Sequence, residues 1–234
     1  MSPPYRLHYA PDNASLIVRL ALEELGEPYE TALVDRAAGG QHSPAYLALN
    51  PHGLIPTLET PRGPIFETAA ILLWLADTHG ALAPAPDDRE RGAFLKWLFF
   101  TSNTVHAGLR MLFYPEKYVG ADPGAGNALR TRMQTSLKTH LTKLDTLAAA
   151  QTPVLNGIPL TALDLYLPAL LRWMALYPAG VTGWFRLADT PHLHALAARI
   201  EQRDSVTRAK AAEGLGETPF SRPRHATPPE GSAR

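Results

Sequence analysis

Asn50-Pro51-His52-Gly53-Leu54-Ile55-Pro56-Thr57-Leu58 is the stretch on which the fold turns. Asn50 to Gly53 makes a strong turn, and Leu54 to Glu59 follows with a strand pattern. A proline just inside a strand deletes a ladder donor, which assigns Pro56 to a sheet edge. Two readings of the Ile55–Pro56 bond fit the segment. A trans proline simply opens an edge strand. A cis bond turns the N–H and C=O of Ile55 outward, where an extended peptide pairs with them as an added strand.

Upstream, Tyr5-Arg6-Leu7-His8-Tyr9 alternates at period two and stops at the turn cluster Pro11-Asp12-Asn13. From Ala14 the period becomes helical. Leu16, Ile17, Leu20, Ala21 and Leu25 share one apolar face, with Arg19, Glu23 and Glu24 off it. Gly26 ends that helix. Tyr29 to Val34 reads as a second strand and Ser43 to Leu49 as a short helix. Downstream, Leu54 to Glu59 and Pro64 to Phe66 are short strands around Thr60-Pro61-Arg62-Gly63. Glu67 to Thr78 is a largely buried helix. The order is βαβ, then α, then ββα.

Residues 81–87 form a Pro/Ala linker. The part beyond it, 88–211, is all helical: Asp88 to Tyr114, then a loop from Gly120 to Gly126, then Ala128 to Ala150, with further helices from Thr161 and Pro191. Residues 212–234, rich in Pro, Gly, Ser and Arg, are expected to form a flexible tail.

The whole chain has 234 residues, 22 Lys plus Arg, 22 Asp plus Glu and no Cys. The absence of Cys excludes disulfides, thiolate metal sites and a cysteine nucleophile. Balanced charge gives no footprint for nucleic acid or an anionic membrane. No stretch reaches the roughly 18 apolar residues of a bilayer span, and no signal peptide is read at Met1-Ser2-Pro3-Pro4. The nine histidines, His192-x-His194 among them, show no metal spacing with carboxylates, so no metal is expected and that pair is assigned to the surface.

Two further segments carry chemistry. Phe66-Glu67-Thr68-Ala69 lies at a strand-to-helix junction. There the Thr68 hydroxyl and backbone N–H groups suit a ligand carboxylate, and Glu67 suits an ammonium group; a plain helix cap is the competing reading. Tyr9 to Ser15 joins the first strand to the first helix. A hydroxyl or amide at this helix start is placed to donate to a thiolate, whose pKa the helix dipole also lowers; an N-cap is the alternative.

In this order the segments resemble the cytosolic glutathione transferase family over nearly the whole chain. A further match is Asn156-Gly157-Ile158-Pro159-Leu160-Thr161-Ala162-Leu163-Asp164, similar to the family's helix-capping segment, where Thr161-x-x-Asp164 is a structural capping box. The resemblance implies a thioredoxin-like α/β N-terminal domain (1–80) that binds glutathione and an all-α C-terminal domain for the acceptor. By motif, Ile55 and a cis Pro56 would hold the cysteinyl backbone, and Glu67 and Thr68 the γ-glutamyl end. Gln41, His42 or Arg36 is the candidate for the glycyl carboxylate, and His52 lies on the cleft side. The Tyr-x-Pro-x-x-x-Ser-Leu pattern is similar to the bacterial beta class, whose Cys before the Ser is Ala14 here. That departure removes mixed-disulfide chemistry. It leaves Ser15, then Asn13, then Tyr9, as thiol partners, with His106 matching a cleft histidine.

The implied protein is a cytoplasmic homodimer that activates the glutathione thiol against a small hydrophobic electrophile. Detoxification would be its role and hydroperoxide reduction an added activity. A glutathione-dependent disulfide-bond reductase and a non-catalytic ligand-binding module are the alternatives.

Overall fold

Residues 4–233 are described in a computed structural model of the chain. Four strands, β1 (Tyr5–Tyr9), β2 (Tyr29–Leu33), β3 (Thr57–Thr60) and β4 (Gly63–Phe66), form one mixed sheet in the order β2-β1-β3-β4. β1 and β2 run parallel, as a helical crossover requires, and the other pairs are antiparallel. Tyr5, Leu7 and Tyr9 alternate inward, whereas Arg6 points to solvent. Helices α1 (Ser15–Leu25) and α3 (Thr68–His79) pack together over that buried face. The short α2 (Pro44–Leu47) is capped by the Ser43 hydroxyl. Gly26 ends α1 at φ +68°, a conformation that L side chains avoid.

Helix α4 (Arg91–Phe100) passes through a six-residue π-helical stretch, Thr101–His106, into α5 (Ala107–Phe113). The rod expected from Asp88 to Tyr114 is therefore one helix with a wider turn in its middle. After α6 (Glu116–Val119), α7 runs Pro123–Ala149. It begins inside the stretch expected to be a loop. The Asp122 carboxylate caps it, accepting from Gly124 N at 2.9 Å and Ala125 N at 3.3 Å, and Pro123 takes the first helical position. Helix α8 (Ala162–Leu176) opens on the expected capping box, with Thr161 N donating to Asp164 Oδ2 at 2.8 Å. It is buried almost all round, including Arg172. Helices α9 (Pro191–Ile200) and α10 (Asp204–Glu213) complete the second part.

Two expectations need correction. Arg19 is not on a solvent face: it is 5% exposed and its Nε donates to Glu213 Oε1 at 2.8 Å. Glu23 and Glu24 beside it are covered in turn by Arg208 and Arg203 of α10, Arg203 donating to both Glu24 oxygens at 2.6 Å. The second correction concerns the residues beyond 212, which pack rather than trail. Leu215 and Phe220 are buried, and the Glu201 carboxylate accepts from Phe220 N, Ser221 N and the Ser221 hydroxyl. His194, assigned to the surface, bonds Ser221 O at 3.0 Å. Composition misses this because side chains elsewhere, not a ladder, satisfy the segment's backbone. Arg234 lies outside the described residues. No helix among the described residues is long and apolar enough to cross a membrane.

Candidate active site

The sheet register assembles the site. His8 pairs with Thr57, and Thr57 pairs with Phe66. The loop after β1, the loop before β3 and the junction after β4 therefore open at one end of the sheet. These are the three segments singled out by sequence.

At the middle segment the Ile55–Pro56 bond is cis. The C=O of Leu54 is taken by the Tyr46 hydroxyl at 2.6 Å and by Asn50 Nδ2 at 2.8 Å. The N–H and C=O of Ile55 bond no other described residue. The turn is thus held from behind while its front stays open to a peptide-like ligand.

Glu67 stands exposed at the N-terminus of α3 with φ +72°, a strained conformation for a residue with a Cβ. Thr68 is buried behind it. The Tyr166 hydroxyl of α8 lies close to Thr68 and Ser102 and 2.8 Å from His106 Nδ1. His52 packs edge-on against Phe66, His42 is exposed, and Gln41 keeps a buried amide oxygen with no partner among the described residues. Arg36 reaches the other way, donating to the Tyr114 hydroxyl at 3.1 Å.

The β1–α1 loop separates the three thiol-partner candidates. Ser15 is fully buried. Its hydroxyl donates to Ala10 O at 3.1 Å and accepts from Ala10 N at 3.3 Å, so it closes the loop on itself. The Tyr9 hydroxyl donates to the Glu230 carboxylate, and burial and that carboxylate raise its pKa. Asn13 is partly exposed. Its Oδ1 accepts from Ala14 N at 2.8 Å, which leaves Nδ2 unengaged by any described residue.

His106 packs against α8, its ring 5.7 Å from those of Tyr166 and Trp173. Burial, reinforced by Arg110, pushes its pKa down to about 4, so it is a neutral imidazole at pH 7. A base depressed in the fold contributes stability above its unfolded value near 6.5, lost as pH falls toward the folded value. Between about pH 7 and pH 5 this linkage amounts to about 2 kcal/mol. The His106→Gln variant is expected to lose that acid-side slope in urea unfolding; an unchanged slope refutes the assignment.

Sequence reasoning missed Asp12, Arg172, Trp173 and Glu213, which hold the β1–α1 loop from behind. The signal was a single Arg inside the otherwise apolar run Leu165-Tyr166-Leu167-Pro168-Ala169-Leu170-Leu171-Arg172-Trp173. A charge there requires a buried partner.

A thioredoxin-like sheet with an open cis-proline loop leading into an inner strand, joined to a helical domain, defines the class of protein. The family model for the glutathione S-transferase N-terminal domain matches residues 14–78. Glutathione S-transferase GST-4.5 of Xanthomonas campestris pv. campestris is 31% identical over 215 residues, 90% of this chain and 99% of the relative. The solved structure of a sphingomonad glutathione S-transferase complexed with glutathione is 32% identical, with TM-score 0.74 over 90% of this chain and 100% of that one. The bacterial beta-class enzyme of Sphingomonas chungbukensis is 31% identical, with TM-score 0.74 over the same shares. The chain belongs to the glutathione S-transferase family.

Proposed function

We propose that the protein binds glutathione at the common end of β1, β3 and β4 and ionises its thiol for attack on a small hydrophobic electrophile. The observation that carries this reading is the register His8–Thr57–Phe66, which brings a peptide edge, a helix N-terminus and an amide donor to one place. Ile55 pairs with the cysteinyl backbone. Glu67 receives the γ-glutamyl ammonium, and Thr68 with the first turn of α3 receives its carboxylate. The Gln41 amide N–H donates to the glycyl carboxylate, with His42 and His52 flanking it.

Asn13 supplies the hydrogen bond to the thiolate from the start of α1. Of the three candidates it alone has a donor not already given to the protein. Ser15 and Tyr9 shape the loop. A free thiol with pKa about 8.5 is mostly protonated at neutral pH. Lowering it by two units requires about 2.7 kcal/mol, within reach of one hydrogen bond to a charge plus a helix N-terminus. The thiolate attacks the acceptor carbon and the leaving group departs; no covalent bond to the protein forms. The working state is a cytoplasmic homodimer, which sedimentation analysis tests.

Ultraviolet difference titration of the thiolate tests the chemistry. Bound glutathione is expected to ionise at least one pH unit below the free tripeptide, with turnover of a chloronitrobenzene. A bound thiol that titrates like the free one rejects this function.

A further inference from the structure

The Arg172 guanidinium spends all five N–H groups inside the protein. Nε donates to Asp12 Oδ1 and Nη2 to Asp12 Oδ2, both at 2.8 Å. Nη2 also donates to Arg224 O at 2.8 Å, while Nη1 donates to Pro219 O at 3.0 Å and Leu215 O at 3.5 Å. The Arg172 and Asp12 side chains are both fully buried. Asp12 accepts two further bonds, from Trp173 Nε1 at 2.9 Å and the Tyr177 hydroxyl at 2.7 Å, and its own N–H donates to Glu213 Oε2 at 2.8 Å. Its backbone is held at φ +51°. The next residue is Asn13.

We propose that Arg172 is a positioning residue for thiol activation, acting through Asp12 on Asn13, with the carbonyls of segment 214–224 fixing its orientation. This rests on the assignment of Asn13 above. Two physical effects follow from the geometry. The planar fork grips both Asp12 oxygens, so it fixes the angle at which the chain enters Asn13; misplacing a reacting group by about 1 Å costs on the order of a hundredfold in rate. The guanidinium also balances the carboxylate of Asp12, the residue before Asn13, whose unbalanced charge would oppose ionisation of the thiol.

Two variants separate these effects. Arg172→Lys keeps the charge and loses the fork; Arg172→Met loses both. The readouts, taken where circular dichroism shows a folded chain, are the bound-thiol pKa, the pH profile of kcat/KM with a chloronitrobenzene, and KM for glutathione. Arg172→Lys is expected to raise the bound-thiol pKa by about one unit, a tenfold loss of kcat/KM near neutral pH that closes in alkali. Arg172→Met is expected to raise it further, with KM for glutathione changed less than about threefold in both. If neither folds, Trp173→Phe removes one Asp12 donor without stranding a charge, and a smaller rise is expected. Folded variants with the wild-type thiol pKa and pH profile overturn the proposal. If the wild-type bound thiol itself titrates like free glutathione, the thiol-activation reading fails first and takes this one with it. A shifted wild type beside unmoved variants rejects the role of Arg172 alone.

Discussion

Asn13→Ala is expected to lower kcat/KM for glutathione conjugation by about 10- to 100-fold near neutral pH, the size of a lost hydrogen bond to a charge. The bound-thiol pKa rises with it, and the deficit narrows in alkaline solution, where solvent alone ionises the thiol. Ser15→Ala is the contrasting variant. It strands the Ala10 N–H and C=O that its hydroxyl now satisfies. It therefore costs about 1–2 kcal/mol of stability and leaves the thiol pKa of the folded fraction in place. Stopped-flow conjugation and urea unfolding of the two variants decide the matter. The reverse pattern, with the thiol shifted by Ser15→Ala and unmoved by Asn13→Ala, moves the role to Ser15.

Arg19→Met is expected to lose stability by an amount that depends on pH. The partner, Glu213, is fully buried; burial pushes its carboxyl up to about 7 from the ordinary 4.5, against the pull of Arg19. The sign follows from linkage. A carboxyl raised in the fold contributes stability below its unfolded value, and that contribution is lost as pH rises through the folded value. The wild type thus loses about 1 kcal/mol between about pH 6 and pH 8. Without Arg19 the buried carboxylate has no cationic partner. The variant is then expected to lie about 3 kcal/mol below wild type at about pH 8. At about pH 6 the deficit shrinks to about 1 kcal/mol, because the group takes a proton instead. Methionine retains the apolar stem and gives up the guanidinium, which lies 4.7 Å over the Tyr9 ring. Urea unfolding at the two pH values checks this, and equal losses at both refute it.

The parts of the fold legible in sequence were those governed by local chemistry. Period-two and period-3.6 patterns placed the strands and most helices. Gly26 announced a helix stop, and Thr161 with Asp164 a capping box. The sheet edge expected at Pro56 was wrong: β3, which follows it, is paired on both sides by β1 and β4, and the missing donor falls in the loop before the strand. The candidate site was legible as three segments because each carries its own turn or cap. What could not be read was how side chains distant in sequence spend their hydrogen bonds. Nothing near Ser15 says that its hydroxyl is consumed by Ala10. Nothing near Asp12 says that its carboxylate belongs to α8, 160 positions away. The composition of residues 215–224 likewise hides the carboxylate of Glu201 and the guanidinium of Arg172, which hold them.

The bond between Tyr9 and Glu230 joins groups 221 positions apart. During synthesis, the partner segment leaves the ribosome 221 residues after the strand that carries Tyr9. At roughly 5–20 residues per second, about 10–45 seconds separate the two. For that interval the β1–α1 loop of the nascent chain lacks its anchor from the segment that follows α10. The order of translation therefore delays assembly of the β1–α1 loop until that segment has emerged, closing the loop as a clasp closes a ring.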